Sequence, residues 1–263
     1  MGRKKTIWIT ALAVFFGMCL SVAGGKADAQ TGQTMDLTWM QDMIRSRGFI
    51  TSQPIPYVGT IVGSQDPIQN LSEGDLVYLK MVSGKKVMPG DRLVVARVSD
   101  EVKHPLTERK VGNAVVFPGR VVVLDGKGPI VPARLEKTFG AVIHGDLVMA
   151  LPSPPPPVVS IRTQGRLRGV VISPAEDEWN ISEREVVYID RGTQDGVILG
   201  DLFSIYSQPY YTEETLESKQ SLPLLKVGEG IVVIATPDTS TLLVTESKQS
   251  IYAGDTVVSG RGK

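Results

Sequence analysis

Five aspartates each follow a glycine and open an apolar run: Gly74-Asp75, Gly90-Asp91, Gly145-Asp146, Gly200-Asp201 and Gly254-Asp255. Carboxylates at repeated positions are the raw material of metal sites and acid–base pairs. The context argues for a different use. Each pair leads at once into strand-like residues, as in DLVYL, DRLVV, DLVMA, DLFSI and DTVVS. Glycine supplies the positive φ of a tight turn, and the Asp carboxylate accepts the amides that fix it. A calcium site would need several oxygen ligands at short alternating spacing. Asp190, Asp195 and Asp201 are too widely spaced, and too intermixed with strand, to provide them. The ten residues are read as turn-formers.

Other chemistry is thin. His104 and His144 have no second ligand at metal spacing, and there is no nucleophile elbow, H-E-x-x-H or phosphate-cradling loop. Glu176-Asp177-Glu178 and the carboxylates Glu213, Glu214 and Glu217 are the only candidates for an acid–base pair, and the acidic run reads better as a solvated loop. No catalytic residue, metal or cofactor is expected. Arg162, Arg166 and Arg168 alternate along one segment, so they could share a strand face and hold an anionic glycan or a protein. Ser207 to Leu222 reads as an insertion relative to Ser99 to Leu106, and it carries Tyr210 and Tyr211 just after Tyr206. Long loops on rigid β scaffolds often carry specificity. Arg162, Arg166, Arg168, Tyr206, Tyr210 and Tyr211 are the candidate binding residues.

The elements that must position these residues come from a duplication. Leu71 to Val95 aligns without a gap on Ile181 to Ile205, 110 residues further on. An internal repeat is strong evidence about architecture. Short runs rich in Val, Ile and Leu, bounded by Gly, Pro, Asp or Ser, fill both halves. In the first half they include 59–63, 75–80, 92–98, 113–117, 120–124, 132–136 and 146–150. In the second they include 159–162, 165–172, 186–190, 201–206, 230–235, 241–246 and 255–258. Lys110-Val111-Gly112 pairs with Lys226-Val227-Gly228, and His144-Gly145-Asp146 with Ala253-Gly254-Asp255. The expected fold is all-β: two tandem small barrel or sandwich modules, residues 58–151 and 158–263. Pro152 to Pro157 (PSPPPP) lies between them as a semi-rigid spacer.

Ahead of the modules, residues 30–57 read as a short helix and an extended connector. Met35 to Arg47 has Leu37, Met40 and Ile44 at helical spacing, with Thr34 as cap and Gly48 as stop. It reads as a lid on the first module, the alternative being a docking helix. Pro54 and Pro56 keep Phe49 to Tyr57 extended.

Residues 1–29 read as a signal peptide. Arg3, Lys4 and Lys5 precede an apolar stretch of 16 residues, Ile7 to Val22, and Ala27-Asp28-Ala29 is a small-x-small cleavage site. A membrane span needs about 20 residues, so membrane association is expected only if the segment stays uncleaved. Lipidation at Cys19 fits less well, because Phe16-Gly17-Met18 is not the usual context. Cleavage removes the only cysteine and leaves 24 basic and 27 acidic residues. That balance argues against nucleic acid as partner, and stability must come from packing without disulfides. A periplasmic location follows.

The second copy also resembles a known family. Its pattern is Ile189-Asp190, Gly192, Gly196-Val197, Gly200-Asp201, Phe203, Val227-Gly228-Glu229 and Gly254-Asp255 with Val257. This is similar to the C-terminal β region of lysin-motif (LysM) peptidoglycan-binding envelope proteins. It also resembles the C-terminal domain of the flagellar T-ring assembly protein family. GTIVGSQDPIQNLSEGDLVYL in the first copy resembles the segment preceding that region, and the likeness spans most of residues 58–258. A lysin motif would read like KGDTLW, and residues 30–57 lack one. The resemblance implies a β fold in the envelope, with no catalytic residues to carry over. The expected function is a non-enzymatic scaffold or adaptor binding envelope proteins or peptidoglycan. Alternatives are a ring component, with homo-oligomer contacts through strand edges, and an enzyme acting on wall glycan.

Overall fold

Seven apolar residues of the first half, Ile61, Leu71, Val77, Leu79, Val87, Leu93 and Val95, are buried in one cluster. The residues 110 positions on, Val171, Ile181, Val187, Ile189, Val197, Phe203 and Ile205, are buried together in another. The repeat is thus a repeat of core positions, and each copy closes its own barrel. The computed structural model describes residues 33–67, 69–150, 156–163, 165, 167–175, 181–209 and 222–260.

Barrel 1 consists of β3 (Gly59–Ser64), β4 (Leu76–Met81), β5 (Arg92–Lys103), β6 (Lys110–Val123), β7 (Ile130–Thr138) and β8 (Leu147–Ala150). Around the barrel the order is β3-β4-β7-β6-β5-β8 and back to β3, all pairs antiparallel. Barrel 2 uses β10 (Arg168–Pro174), β11 (Val186–Ile189), β12 (Leu202–Ser207), β13 (Leu225–Ala235), β14 (Ser240–Ser247) and β15 (Thr256–Ser259). Its order, β10-β11-β14-β13-β12-β15, is the same circuit. Closure satisfies every strand edge, and six strands leave an interior that side chains alone fill.

The two runs expected at 113–117 and 120–124 are one strand, β6. Pro118 sits inside it at a register shift, where Val95 faces Gly119 and Arg97 faces Val116. A proline is tolerated there because the bulge asks for no amide. The pairing also corrects the internal alignment. Gly228 faces Ile205 as Gly119 faces Val95, so Gly119 is its counterpart and Gly112 is not. A Cβ at Gly119 would lie 2.8 Å from the Lys137 carbonyl, and one at Gly228 would lie 2.4 Å from the Glu246 carbonyl. The same close approach of backbones explains both glycines.

Residues 33–51 depart most from expectation. Thr34–Asp36 form a strand, β1, paired with β9 (Val158–Ser160) ahead of barrel 2. A 3-10 turn, Thr38–Met40, leads into α1 (Gln41–Arg47), so the helix is shorter than the apolar spacing suggests. It is the Asp36 carboxylate, at 2.8 Å from the Thr38 amide, that fixes the entry, and no side chain caps α1 itself. Leu37, Met40 and Ile44 are buried against Val186, Ile231, Val233 and Leu243 on the outer face of barrel 2. The helix therefore does not lid barrel 1 alone. Residues Phe49–Thr51, expected as connector, form β2 and add to β6 of barrel 1. The free side of β2 is covered by barrel 2: Thr239 Oγ1 donates to the Ile50 carbonyl at 2.8 Å, and Thr241 Oγ1 to Gly48 at 2.9 Å. Residues 34–51 are a strap that carries apolar contact to one barrel and strand pairing to the other. Among the described residues, no helix is long and apolar enough to cross a membrane.

Candidate functional site

The five Gly-Asp turns share one geometry. Gly74, Gly90, Gly145, Gly200 and Gly254 have φ of +94, +90, +95, +90 and +98°. The Oδ2 atoms of Asp75, Asp91, Asp146, Asp201 and Asp255 accept the amides of Ser72, Met88, Ile143, Ile198 and Tyr252 at 2.7 to 2.9 Å. A sixth turn of the same kind has Arg184 at φ +73° and Glu185 accepting the Ser182 amide at 2.6 Å. It stands where Gly74-Asp75 stands in the first copy, with Arg-Glu in place of Gly-Asp. Among the described residues, no three His, Cys, Asp or Glu side chains converge as metal ligands would.

Arg162 and Arg168 do not lie on one strand. Arg162 forms an isolated bridge with Asp201, and its Nε donates to Asp201 Oδ1 at 2.8 Å. Its guanidinium thus seals a turn whose carboxylate is almost fully buried. Arg168 opens β10 and is exposed. Between them the chain bends, and the Leu167 amide turns inward to Ser259 Oγ at 2.8 Å. Tyr206 is half-buried on β12, next to the core residue Ile205. Arg166, Tyr210, Tyr211, Glu176 to Glu178 and Glu213 to Glu217 lie outside the described residues, as do residues 152–155 of the proline run. The spacing from Val95 to Val123 is 28 residues and from Ile205 to Val232 it is 27, and both valines accept or donate at the same turn. The second copy therefore has no net insertion. Barrel 1 uses the same length to extend the β5–β6 hairpin.

Two histidine pairs could be mistaken for catalytic dyads. His104 Nε2 lies 3.4 Å from Asp190 Oδ2, while its Nδ1 accepts the Leu106 amide at 3.2 Å. Asp190 also accepts the Val170 amide and Arg191 Nη1. With both ring nitrogens engaged, His104 clasps the tip of the β5–β6 hairpin to barrel 2, and neither nitrogen is left to take a substrate proton. His144 Nε2 lies 3.1 Å from Ser64 Oγ, but that hydroxyl donates to the Asp66 carbonyl at 2.6 Å. The histidine must then donate to the serine, the reverse of what an activated nucleophile needs.

The arrangement that looks built to bind is a cleft where α1, barrel 1 and Ala175 meet. It has a volume of about 200 Å³ and is lined by Ser46, Arg47, Arg97, Phe117 and Phe139 among others. Arg97 is held by a two-pronged bond to Asp146, 2.7 Å on each arm, and donates to the Ala141 carbonyl. The Asp146 contact holds the Arg97 pKa above its ordinary value. Beside the cleft, Arg120 and Lys137 stand over the Phe139 ring, 5.8 and 5.3 Å from its centre. Lys137 also bonds Asp42 of α1 and holds that carboxyl below the usual range. Arg120 Nε and Glu136 Oε2 are buried 3.8 Å apart, too far for a hydrogen bond, and neither atom has another partner among the described residues; Arg45 Nε is likewise buried without an acceptor among them. A guanidinium and an ammonium held over an aromatic ring suit carboxylates attached to apolar groups. No motif announced this site, because it draws on α1, β5, β6, the end of β7 and the loop after it.

No family model matches the chain, and none of the curated proteins matches it.

Proposed function

We propose that the protein is exported to the periplasm, its first 29 residues acting as a signal peptide, and serves there as a non-enzymatic envelope scaffold or adaptor. Its partners are envelope proteins or peptidoglycan. The observation that carries the reading is the strap of residues 34–51. A hydrogen-bonded, apolar connection between two barrels holds them as one body, which suits a protein that must present surfaces at fixed separation. An enzyme would ask instead for a reactive group free to act, and both histidine pairs are engaged elsewhere. The cleft beside Phe139 supports the ligand class, since wall peptides and acidic protein segments both present carboxylates.

A photo-crosslinking amino acid at Phe139, compared with one at Ser83 far along barrel 1, tests the reading in intact cells. Crosslinks from position 139 to an envelope protein or to murein fragments are expected. Crosslinks to neither, with the protein present at normal abundance, would reject it.

A further inference from the structure

One end of barrel 1 differs from the same end of barrel 2 in a way that packing does not explain. The β4–β5 turn carries Lys85, Lys86 and Met88, the β6–β7 turn carries Leu124 and Lys127, and Ile130 opens β7. The two turns touch. The Met81 amide donates to the Pro129 carbonyl at 2.9 Å, and a Cβ at Gly126 would lie 2.1 Å from the Val87 carbonyl. Met88, Ile130 and Leu124 are 68, 53 and 42% exposed. Lys85, Lys86 and Lys127 are exposed and form no ion pair with any described residue. Lys80, across from Ile130 in the ladder, is exposed as well. Two acids share this end, Asp91 accepting the Met88 amide and Asp125 the Lys127 amide, and the lysines outnumber them.

The second copy provides the internal comparison. Val87 and Met88 correspond to Val197 and Ile198, so the apolar pair persists. Lys85 and Lys86 correspond to Asp195 and Gly196. The β13–β14 connector, which closes over that turn through Thr193 to Thr236 and Gln194 to Pro237 hydrogen bonds, holds Asp238 and no lysine. The apolar residue is exposed in both copies, Ile198 at 45%, but the turn is cationic in barrel 1 and acidic in barrel 2. Exposed apolar side chains ringed by free lysines fit a surface that is negative outside and hydrocarbon within.

We propose that this end of barrel 1 docks on an anionic lipid surface, with Met88, Ile130 and Leu124 entering the acyl boundary and the lysines meeting lipid phosphates. The inference is independent of the adaptor reading and holds whatever the cleft beside Phe139 binds. Gly32–Lys263 form a compact unit holding both barrel cores, so that fragment tests it without the apolar N-terminal segment. Sedimentation with vesicles of phosphatidylglycerol and phosphatidylcholine is compared with phosphatidylcholine alone. Binding only to the anionic vesicles is expected. Each lysine-to-glutamine change among Lys85→Gln, Lys86→Gln and Lys127→Gln should weaken it about fivefold. The pair Met88→Ser and Ile130→Ser should weaken it as well, while Ile198→Ser in barrel 2 leaves it unchanged, with thermal melts showing each variant folded. Absent binding, equal binding to neutral vesicles, or a triple lysine variant that binds like the parent would overturn the proposal.

Discussion

The two barrels share a circuit of strands and a set of core positions, yet they treat one buried carboxylate differently. Asp146 and Asp255 occupy the same turn before the last strand of each barrel. In barrel 1, Arg97 grips Asp146 with two bonds. In barrel 2, the residue 110 positions after Arg97 is Ser207, and it is Ser207 that bonds Asp255. A hydroxyl replaces a guanidinium, so burial dominates and pushes the Asp255 carboxyl above its ordinary range. The turn needs only an acceptor for the amide three residues back. What compensates the carboxylate's charge is left to the surroundings, and there the copies have diverged. Barrel 1 faces the Arg97 cleft and the lysine-rich end, while barrel 2 gives its outer wall to the strap.

The sharpest test of shared architecture is in the cores. Phe203 and Leu93 are equivalent, at 0 and 6% exposure. Phe203→Ala should cost about 3–5 kcal/mol and Leu93→Ala about 2–4, measured by denaturant unfolding. If the strap couples the barrels, each variant should still unfold in one transition. Two separated transitions would break the picture of a single body.

Arg97→Ala against Ser207→Ala tests the divergence. The first strands a buried carboxylate. Because Arg97 is itself a third exposed, its loss should cost about 2 kcal/mol, less than a fully buried pair. Loss of the neutral Ser207 bond should cost about 1 kcal/mol. Equal losses would mean that the two partners do the same job.

The turns offer a swap of smaller size. Gly74→Ala puts a side chain at φ +94° and should cost about 1 kcal/mol, while Arg184→Gly relieves a non-glycine residue at φ +73° and should add about 0.5 kcal/mol. A fall in melting temperature for both would show that Arg184 contributes more through its contacts than its backbone costs.

The smallest effect is the pH dependence of Asp255. Its folded pKa is raised, so the folded state holds that proton more tightly than the unfolded chain. Its contribution favours folding most below the ordinary aspartate range and is lost as pH rises through the raised value. Asp255→Asn removes this titration. The variant's stability relative to the parent should therefore improve between pH 3 and pH 7, followed by urea midpoints. A difference that stays constant across that range would refute the raised value.

The fold was legible wherever the information is local. Strand runs, the Gly-Asp turns and the 110-residue repeat all depend on φ, side-chain alternation and short-range hydrogen bonds, and these are written in neighbouring residues. The repeat even marked the core, since burial follows alternation along each strand. The cleft was not legible. Arg47, Arg97 and Phe139 lie on three separate stretches, and only barrel closure brings them together. Arg162 and Arg168 part company for the opposite reason. Alternation implies a shared face only within one strand, and the bend before Leu167 ends the strand rule.

By itself the sequence determined that the chain is all-β, that it is duplicated, and that its aspartates make turns. Each of these follows from backbone preference and local pairing. Tertiary structure alone decided that Leu37, Met40 and Ile44 pack on barrel 2, that β2 joins barrel 1, and that His104 reaches Asp190. An apolar stripe states that it must be buried but not against what, because the hydrophobic effect carries no direction. The choice of partner came from shape and from which carbonyls the strap left for the hydroxyls of Thr239 and Thr241 to bond.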